Sequence, residues 1–278
     1  MSHPSLKGKT AIITGGAGGL GSAFSEALAK EGCNVVILGR SLDKAEAFAN
    51  ALLSQGYEAF AVSADVTNPE SLEVASKAIL GKYQTIDILI NNAGGNHPNA
   101  TTENRFASES LNKDMRDFFK MNVGDMENLL NLNIMGTLIP TQVFARHMTG
   151  DRKPVIINIS SMAAFKPLTK IPTYSAAKAS INNLTQWMAV YFASSGIRVN
   201  ALAPGFFSTD QNRHLLFTPD GNPTPRTKLI LDHTPMGRFG EPEELIGTLL
   251  WLVDSELSGF VTGIVVPVDG GFSAFAGV

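Results

Sequence analysis

The residues best placed to move a proton are Tyr174 and Lys178, in the run Tyr174-Ser175-Ala176-Ala177-Lys178. The pattern over 173–194 predicts a helix, and an i, i+4 spacing puts both side chains on one face of it. An ammonium beside a phenol favours the phenolate, so Lys178 is expected to lower the Tyr174 pKa from its reference of about 10. A tyrosine tuned in that way serves as general acid or base near neutral pH. The spacing alone is common by chance, so its context decides. Ser160 and Ser161 end a predicted strand at 155–159, and Ser161 lies 13 residues before Tyr174. Parallel sheets place ligand sites at the carboxyl ends of strands, where a serine can donate to a carbonyl oxygen as charge develops on it. Either serine could instead simply cap the next segment.

A second constellation could hold a nucleotide. The predicted strand 10–13 runs into Thr14-Gly15-Gly16-Ala17-Gly18-Gly19-Leu20-Gly21 and then a helix. Glycines there permit a tight turn and let backbone N–H groups and the helix N-terminus approach a pyrophosphate. The pattern gains weight because it follows the first strand of a βαβ unit. At the end of the second predicted strand stands Gly39-Arg40-Ser41. A carboxylate, which would take the ribose 2′-hydroxyl of NAD, is absent there, and Arg40 could grip a 2′-phosphate. NADP is therefore favoured over NAD, with a solvated Arg40 that accepts either cofactor as the alternative.

The elements that must position these groups read as short apolar runs alternating with helical patterns. Runs at 10–13, 34–38, 59–62, 86–90, 155–159, 198–202 and 264–268 are mostly rich in Val and Ile without strict alternation, as strands covered on both faces should be. Helical stretches such as 21–30, 42–54 and 173–194 separate them. The order predicts an α/β fold: a single-domain, Rossmann-like, doubly wound parallel sheet of about seven strands with helices on both faces, spanning residues 1–278. Two segments break the rhythm. A polar insertion occupies about 95–125, and a stretch at about 206–235 carries Pro219, Pro223, Pro225 and Pro235. The second is expected to be a substrate lid without a packed resting helix, because its prolines and weak periodicity oppose one.

Composition removes other classes. Hydrophobic residues make up 44% and charged residues 17% of 278, enough for a sizeable core and below the roughly 25% charge of an average chain. A formal net charge of −3 with no basic stripe argues against nucleic acid. The single cysteine, Cys33, rules out an intramolecular disulfide and is expected to be a buried small hydrophobe. The histidines show no metal-ligand spacing, so no metal is expected. No run approaches a membrane span and the N-terminus lacks a signal-like segment, so a cytoplasmic location is expected.

With these motifs in place the sequence resembles the short-chain dehydrogenase/reductase family over nearly its whole length. Thr14, Gly15, Gly19 and Gly21 match its TGxxxGxG. Asp65-Val66 resembles the pair that holds the adenine, and Asn91-Asn92-Ala93-Gly94 matches NNAG. Asn133 matches the catalytic asparagine, Ser161, Tyr174 and Lys178 complete the tetrad, and Pro204-Gly205 with Thr209 matches the segment beside the nicotinamide. The resemblance implies an NAD(P)-dependent oxidoreductase interconverting a ketone and a secondary alcohol. Tyr174 would then be the acid for reduction and the base for oxidation. Lys178 would lower its pKa and hold the nicotinamide ribose, Ser161 would orient the carbonyl, and Asn133 would hold a water in a proton relay. A homotetramer is expected from the resemblance, the low charge fraction and the apolar end 272–278.

The long polar stretch after Gly94-Gly95-Asn96-His97-Pro98 and the C-terminal ending are similar to the D-mannonate oxidoreductases (fructuronate reductases) of this family. That narrower likeness implies a sugar-acid substrate, reduced from D-fructuronate to D-mannonate. It also implies NAD, against the reading of Arg40. Candidate partners for the substrate are Asn96 and His97 beside the nicotinamide, and Arg213, His214, Arg226 and Lys228 in the lid. Alternatives are a 3-oxoacyl thioester or other carbonyl reductase, a sugar-nucleotide epimerase, and a non-catalytic nucleotide-sensing scaffold on the same fold.

Overall fold

A computed structural model describes residues 3–110, 114–208 and 216–277. Seven parallel strands form one sheet in the order β3-β2-β1-β4-β5-β6-β7. They are β1 (Thr10–Thr14), β2 (Asn34–Gly39), β3 (Ala59–Ser63), β4 (Ile88–Asn91), β5 (Val155–Ile159), β6 (Arg198–Pro204) and β7 (Val265–Val268). The single domain is the doubly wound architecture expected from the alternating pattern. Continuous apolar strands arise because both faces are covered. Successive residues serve opposite cores: Ala11 and Ile13 of β1, Val35 and Ile37 of β2, and Val155 and Ile157 of β5 face one. Ile12, Val36 and Ile156 face the other.

Helix α1 (Gly19–Lys30) and α2 (Leu42–Ser54) cover the first face, through residues such as Phe24, Leu28 and Leu52. On the second lie α3 (Pro69–Tyr83), α5 (Gly136–Phe144) and α6 (Pro172–Phe192), through Leu72, Ile79, Phe144 and Met188. Helix α4 (Val123–Leu130) precedes α5. Truncating any of these buried aliphatic side chains to Ala would cost about 2–5 kcal/mol. Cys33 is fully buried, its thiol donating to the Leu6 carbonyl at 3.3 Å and pushed up to about 12 by burial. The predicted start of the fourth strand at 86 moves to Ile88. Asp87, also fully buried, instead accepts from the Thr10 amide at 2.8 Å and takes Arg152 in a two-pronged contact.

The two irregular segments are partly built. The insertion holds short helical turns at Pro98–Ala100, Ala107–Ser110 and Phe118–Lys120, with Ala100, Thr102 and Asn104 buried. In the proline-rich segment, α7 (Pro225–Asp232) contradicts the expectation of no packed helix. Thr224 caps it by accepting from the Thr227 amide, and Pro225 occupies the first helical turn, where its missing N–H is no loss. Ile230 packs with Leu216 and Phe239 in a small core of its own. Helix α8 (Ile246–Val253) returns to the first face of the sheet, and a one-turn helix at Ser255–Ser258 follows it.

Strand order reverses between β1 and β4, since the chain winds outward from β1 to β3 and then crosses back to β4. At such a switch point adjacent crossovers leave on opposite faces and a crevice opens at the carboxyl edge.

Candidate active site

The crevice is a cleft of about 440 Å³. Its floor begins at the glycine turn. Gly15 has a φ of +66°, which a side chain would oppose, and a Cβ on Gly21 would lie 2.2 Å from the Gly15 carbonyl oxygen. The turn can therefore close only with hydrogen at position 21, and it opens the N-terminus of α1 toward the cleft. Thr14 ties the turn to the next strand: its hydroxyl accepts from the amides of Asn92 at 3.0 Å and Ala93 at 2.9 Å. Asn92 returns the bond, its Nδ2 donating to the Thr14 carbonyl at 3.0 Å. Gly15, Gly19, Leu20, Asn92, Ala93 and Gly94 line the cleft, while Thr14 and Gly21 brace the lining from behind.

At one end the cleft is bounded by Arg40, Asp65 and Val66. Arg40 is exposed at the end of β2, and Ser41 caps α2 by accepting from the Lys44 amide. The Thr67 amide and hydroxyl both donate to the Asp65 carboxylate and hold it below the usual carboxylate range, with Arg40 helping. A narrow glycine cradle at a helix N-terminus, an extended cleft and a cation at its rim fit a dinucleotide: Gly15, Gly19 and Leu20 would meet the pyrophosphate, and Asp65-Val66 the base.

At the other end stand the reactive groups. Ser161, Tyr174 and Lys178 line the same cleft as Pro204 and Gly205. Pro172 starts α6, so Tyr174 lies in its first turn and Lys178 one turn further. Tyr174 and Ser161 line the cleft together, and the Ser161 Oγ accepts from the Ala163 amide at 3.1 Å. Ser161 thus caps the following turn as well as facing the phenol. Its neighbour Ser160 points away, donating to the Asn182 side chain at 2.5 Å. Lys178 is almost fully buried, and its Nζ donates to the Ile159 carbonyl at 2.8 Å. Loss of water lowers it to about 8.

The expected lowering of the Tyr174 pKa by Lys178 is not what the structure shows. Burial raises the phenol, and the Ser161 side chain beside it opposes that rise. Lys178 Nζ lies 5.7 Å from the centre of the ring and spends its bond on Ile159. The neutral phenol is the favoured form in this setting.

Asn133 lies behind the lining, in a π-helical turn (Asn131–Met135) between α4 and α5. The wider turn aims its amide at Gly95: Nδ2 donates to the Gly95 carbonyl at 2.8 Å, and Oδ1 accepts from the Gly95 amide at 3.1 Å. A Cβ on Gly94 would sit 2.7 Å from Asn133 Oδ1 and 3.4 Å from Lys178 Nζ, so Gly94 lies between the two.

The substrate candidates are less convergent. Asn96 donates to Thr101 at 3.2 Å, and His97 accepts from the Asn99 amide at 3.3 Å, 3.8 Å from the Asp125 carboxylate. Neither lines the cleft, which ends at Gly95 on that side. Arg226 and Lys228 are exposed on α7. Thr209, Arg213 and His214 lie outside the described residues. Gly95 holds Asn133 and the Ile159 carbonyl holds Lys178, roles not read from sequence; Gly95 alone had a signal there, as the residue following NNAG. Among the described residues no group of His, Cys, Asp and Glu could hold a metal ion, and no helix is long and apolar enough to cross a membrane.

Comparison with known proteins agrees with this geometry. Residues 9–218 match the family model for short chain dehydrogenases. An uncharacterized oxidoreductase of Bacillus subtilis (strain 168), UxuB, is 51% identical over 276 residues, 99% of each chain. A Haemophilus influenzae protein given a provisional D-mannonate oxidoreductase assignment, with bound NAD, has a solved structure. It superposes with a TM-score of 0.95 at 50% identity, covering 98% of both chains. A 3-oxoacyl-[acyl-carrier-protein] reductase of Synechocystis sp. (strain ATCC 27184 / PCC 6803 / Kazusa) is 32% identical over 97% of this chain and 99% of its own. The glycine turn, the cleft at the switch point and these matches together place the chain in the short-chain dehydrogenase family, as an NAD(P)-dependent oxidoreductase acting on CH–OH groups.

Proposed function

We propose that this protein reduces the keto group of a sugar acid to a secondary alcohol and catalyses the reverse oxidation, with D-fructuronate and D-mannonate as the pair. The observation that carries the chemistry is the convergence of Tyr174, Ser161 and the buried Lys178 on one cleft. The substrate class is supported by the half-identical Haemophilus relative.

The bound nicotinamide cofactor would supply or accept the hydride at the carbinol carbon. The protein's part is position and proton traffic. Tyr174, kept neutral by burial, donates its proton to the carbonyl oxygen in reduction and takes it back in oxidation. Ser161, on the same cleft, donates to the same oxygen and fixes the carbonyl's direction. Lys178, desolvated yet held by Ile159, keeps a proton near neutral pH and readily exchanges it. Asn133 fixes the Gly94-Gly95 backbone beside Lys178, the place for a water that passes protons outward.

Arg40 supports a preference for NADPH with NADH also accepted. An exposed guanidinium gains a charge-assisted bond from a 2′-phosphate and loses little without one, whereas a carboxylate there would repel it. NAD in the Haemophilus relative fits this tolerance. Exposed Trp187, Val190 and Tyr191 on α6 support assembly into a homotetramer, which light scattering tests directly.

The deciding experiment is cofactor oxidation with D-fructuronate, other keto-sugar acids and an acetoacetyl thioester, with NADH and NADPH in parallel. Fastest turnover of D-fructuronate is expected. The Synechocystis likeness favours one second reading, and fastest turnover of the thioester would establish it in place of the first.

A further inference from the structure

Beyond β7 the chain passes beside Gly205, which lines the reactive end of the cleft. Asp269 lies against Gly205, where an added Cβ would come within 2.6 Å of its Cα. The Asp269 carboxylate accepts from the amides of Gly271 at 3.0 Å and Ser273 at 2.8 Å. The turn it fixes needs two left-handed glycines, Gly270 at φ +63° and Gly271 at +87°. From there the tail touches the proline-rich segment. The Phe272 ring meets Phe206 edge-on at 5.4 Å, the Phe275 ring meets His233 at 6.2 Å, and the Met236 amide donates to the Gly270 carbonyl at 3.1 Å. The tail is also held by a side chain from elsewhere in the chain: Lys166 Nζ donates to the Phe275 carbonyl at 2.5 Å. Lys166 belongs to the loop that joins Ser161 to Tyr174.

We propose that Lys166 is a positioning residue, and that its bond to the Phe275 carbonyl clasps the C-terminal tail so that Phe206, His233 and Met236, which the tail touches, stand at a fixed distance from the Ser161–Tyr174 loop. The loop joins Ser161 to Tyr174, which line the cleft, and Phe206 follows Gly205, which lines it too. Among the described residues no hydrogen bond or ring contact joins the glycine turn, Arg40 or Asp65 to Lys166 or the tail. The clasp therefore sets the width available to the substrate and leaves the dinucleotide's seat alone. A long, flexible ammonium suits the task, because a backbone carbonyl at the end of a tail has no neighbouring strand to supply a donor. Edge-on aromatic contacts hold the tail's rings in place but fix no distance to the loop across from them, and the Lys166 bond supplies that distance.

The test compares full-length Lys166→Met and Lys166→Arg with wild type. Hydrogen–deuterium exchange on the protein alone should be several-fold faster in Lys166→Met both at 271–277 and at 228–237, and restored in Lys166→Arg. With D-fructuronate, KM should rise about two- to fivefold, the range an exposed charged contact commands. Its kcat and the NADPH Kd should stay at wild-type values. Unchanged exchange in the two segments would overturn the clasp, as would a change in NADPH Kd as large as that in KM, or failure of Lys166→Arg to restore. The kinetic arm rests on the substrate reading above, but the exchange arm does not. If wild type ignores D-fructuronate, that reading fails and exchange alone decides the clasp.

Discussion

Gly21 and Gly81 both lie in helices, and the structure assigns them opposite responses to the same change. At Gly21 an added Cβ would sit 2.2 Å from the Gly15 carbonyl oxygen and 2.7 Å from Asn92 Nδ2. An ordinary carbon–oxygen contact is about 3.3 Å, so backbone must move by about 1 Å. Overpacking of this kind costs about 1–3 kcal/mol, and the better helix propensity of Ala returns up to about 1 kcal/mol. Gly21→Ala should therefore lose about 1–2 kcal/mol, or about 2–8 °C in Tm for a chain of this size. Because the displaced atoms form the cradle, NADPH Kd should weaken by about 10- to 100-fold, the order that a 1 Å misplacement costs a tight site. At Gly81, in α3, the Cβ meets nothing within 4 Å and the backbone is not left-handed. Gly81→Ala should gain about 0.5–1 kcal/mol and raise Tm with no effect on Kd. Thermal unfolding and fluorescence titration read both variants. A Gly21→Ala protein as stable as wild type with an unchanged Kd would refute the cradle.

Tyr174→Phe should lower kcat by about 10²- to 10⁴-fold with NADPH Kd unchanged, and more than a tenth of wild-type kcat would remove Tyr174 as the proton donor. Folded Lys178 sheds its proton near pH 8 and the unfolded chain near 10.5, so between those values the unfolded state holds more protons and stability rises with pH. Lys178→Met removes a desolvation cost of about 3 kcal/mol, so its stability gain over wild type should shrink across that window, and a gain constant from pH 7 to 10.5 would contradict the buried ammonium. Arg40→Ala should weaken NADPH by about tenfold and NADH much less, an effect reduced by added salt because Arg40 is exposed; equal losses for both cofactors would mean that it does not meet the phosphate.

The sheet was legible because strands buried on both faces are mostly apolar, as in Val155–Ile159, where Asn158 alone is polar. The glycine turn and the Tyr174–Lys178 pair were legible because each depends on residues close in sequence. What escaped depends on contacts far apart or on small changes in winding. Periodicity cannot register the single wider turn at Asn131–Met135 that aims Asn133 at Gly95. Pro225 was read as a breaker, although a proline in the first turn is compatible with a helix and Thr224 caps it. His97 and Asn96 follow NNAG in sequence, but their bonds go to their own turn, and adjacency along the chain did not bring them to the cleft. The Tyr174 pKa was read from one neighbour, whereas burial sets its direction.

A chain of buried polar groups explains how separate elements hold the proposed tetrad. The Asn133 carbonyl accepts from Thr137 at 3.0 Å, and the Thr137 carbonyl from Thr141 at 2.8 Å. Asn91 Nδ2 then donates to both Thr141 Oγ1 and Asn158 Oδ1 at 2.9 Å, and Asn158 Nδ2 to Thr185 Oγ1 at 2.9 Å. The path joins α5, β4, β5 and α6, and so links the turn bearing Asn133 to the helix bearing Tyr174 and Lys178. Apolar packing lets helices slide by fractions of an ångström, whereas directional bonds fix their register. Asn158→Leu would cost about 1–3 kcal/mol by stranding its partners. If register is what the chain secures, kcat should also fall well below wild type at a temperature where the variant is fully folded. Ile156→Val, on the same strand and packed in the apolar core of the same face, should cost about 0.5–1.5 kcal/mol and leave kcat unchanged. Equal kcat in both variants would reduce the asparagine path to a contribution to stability alone.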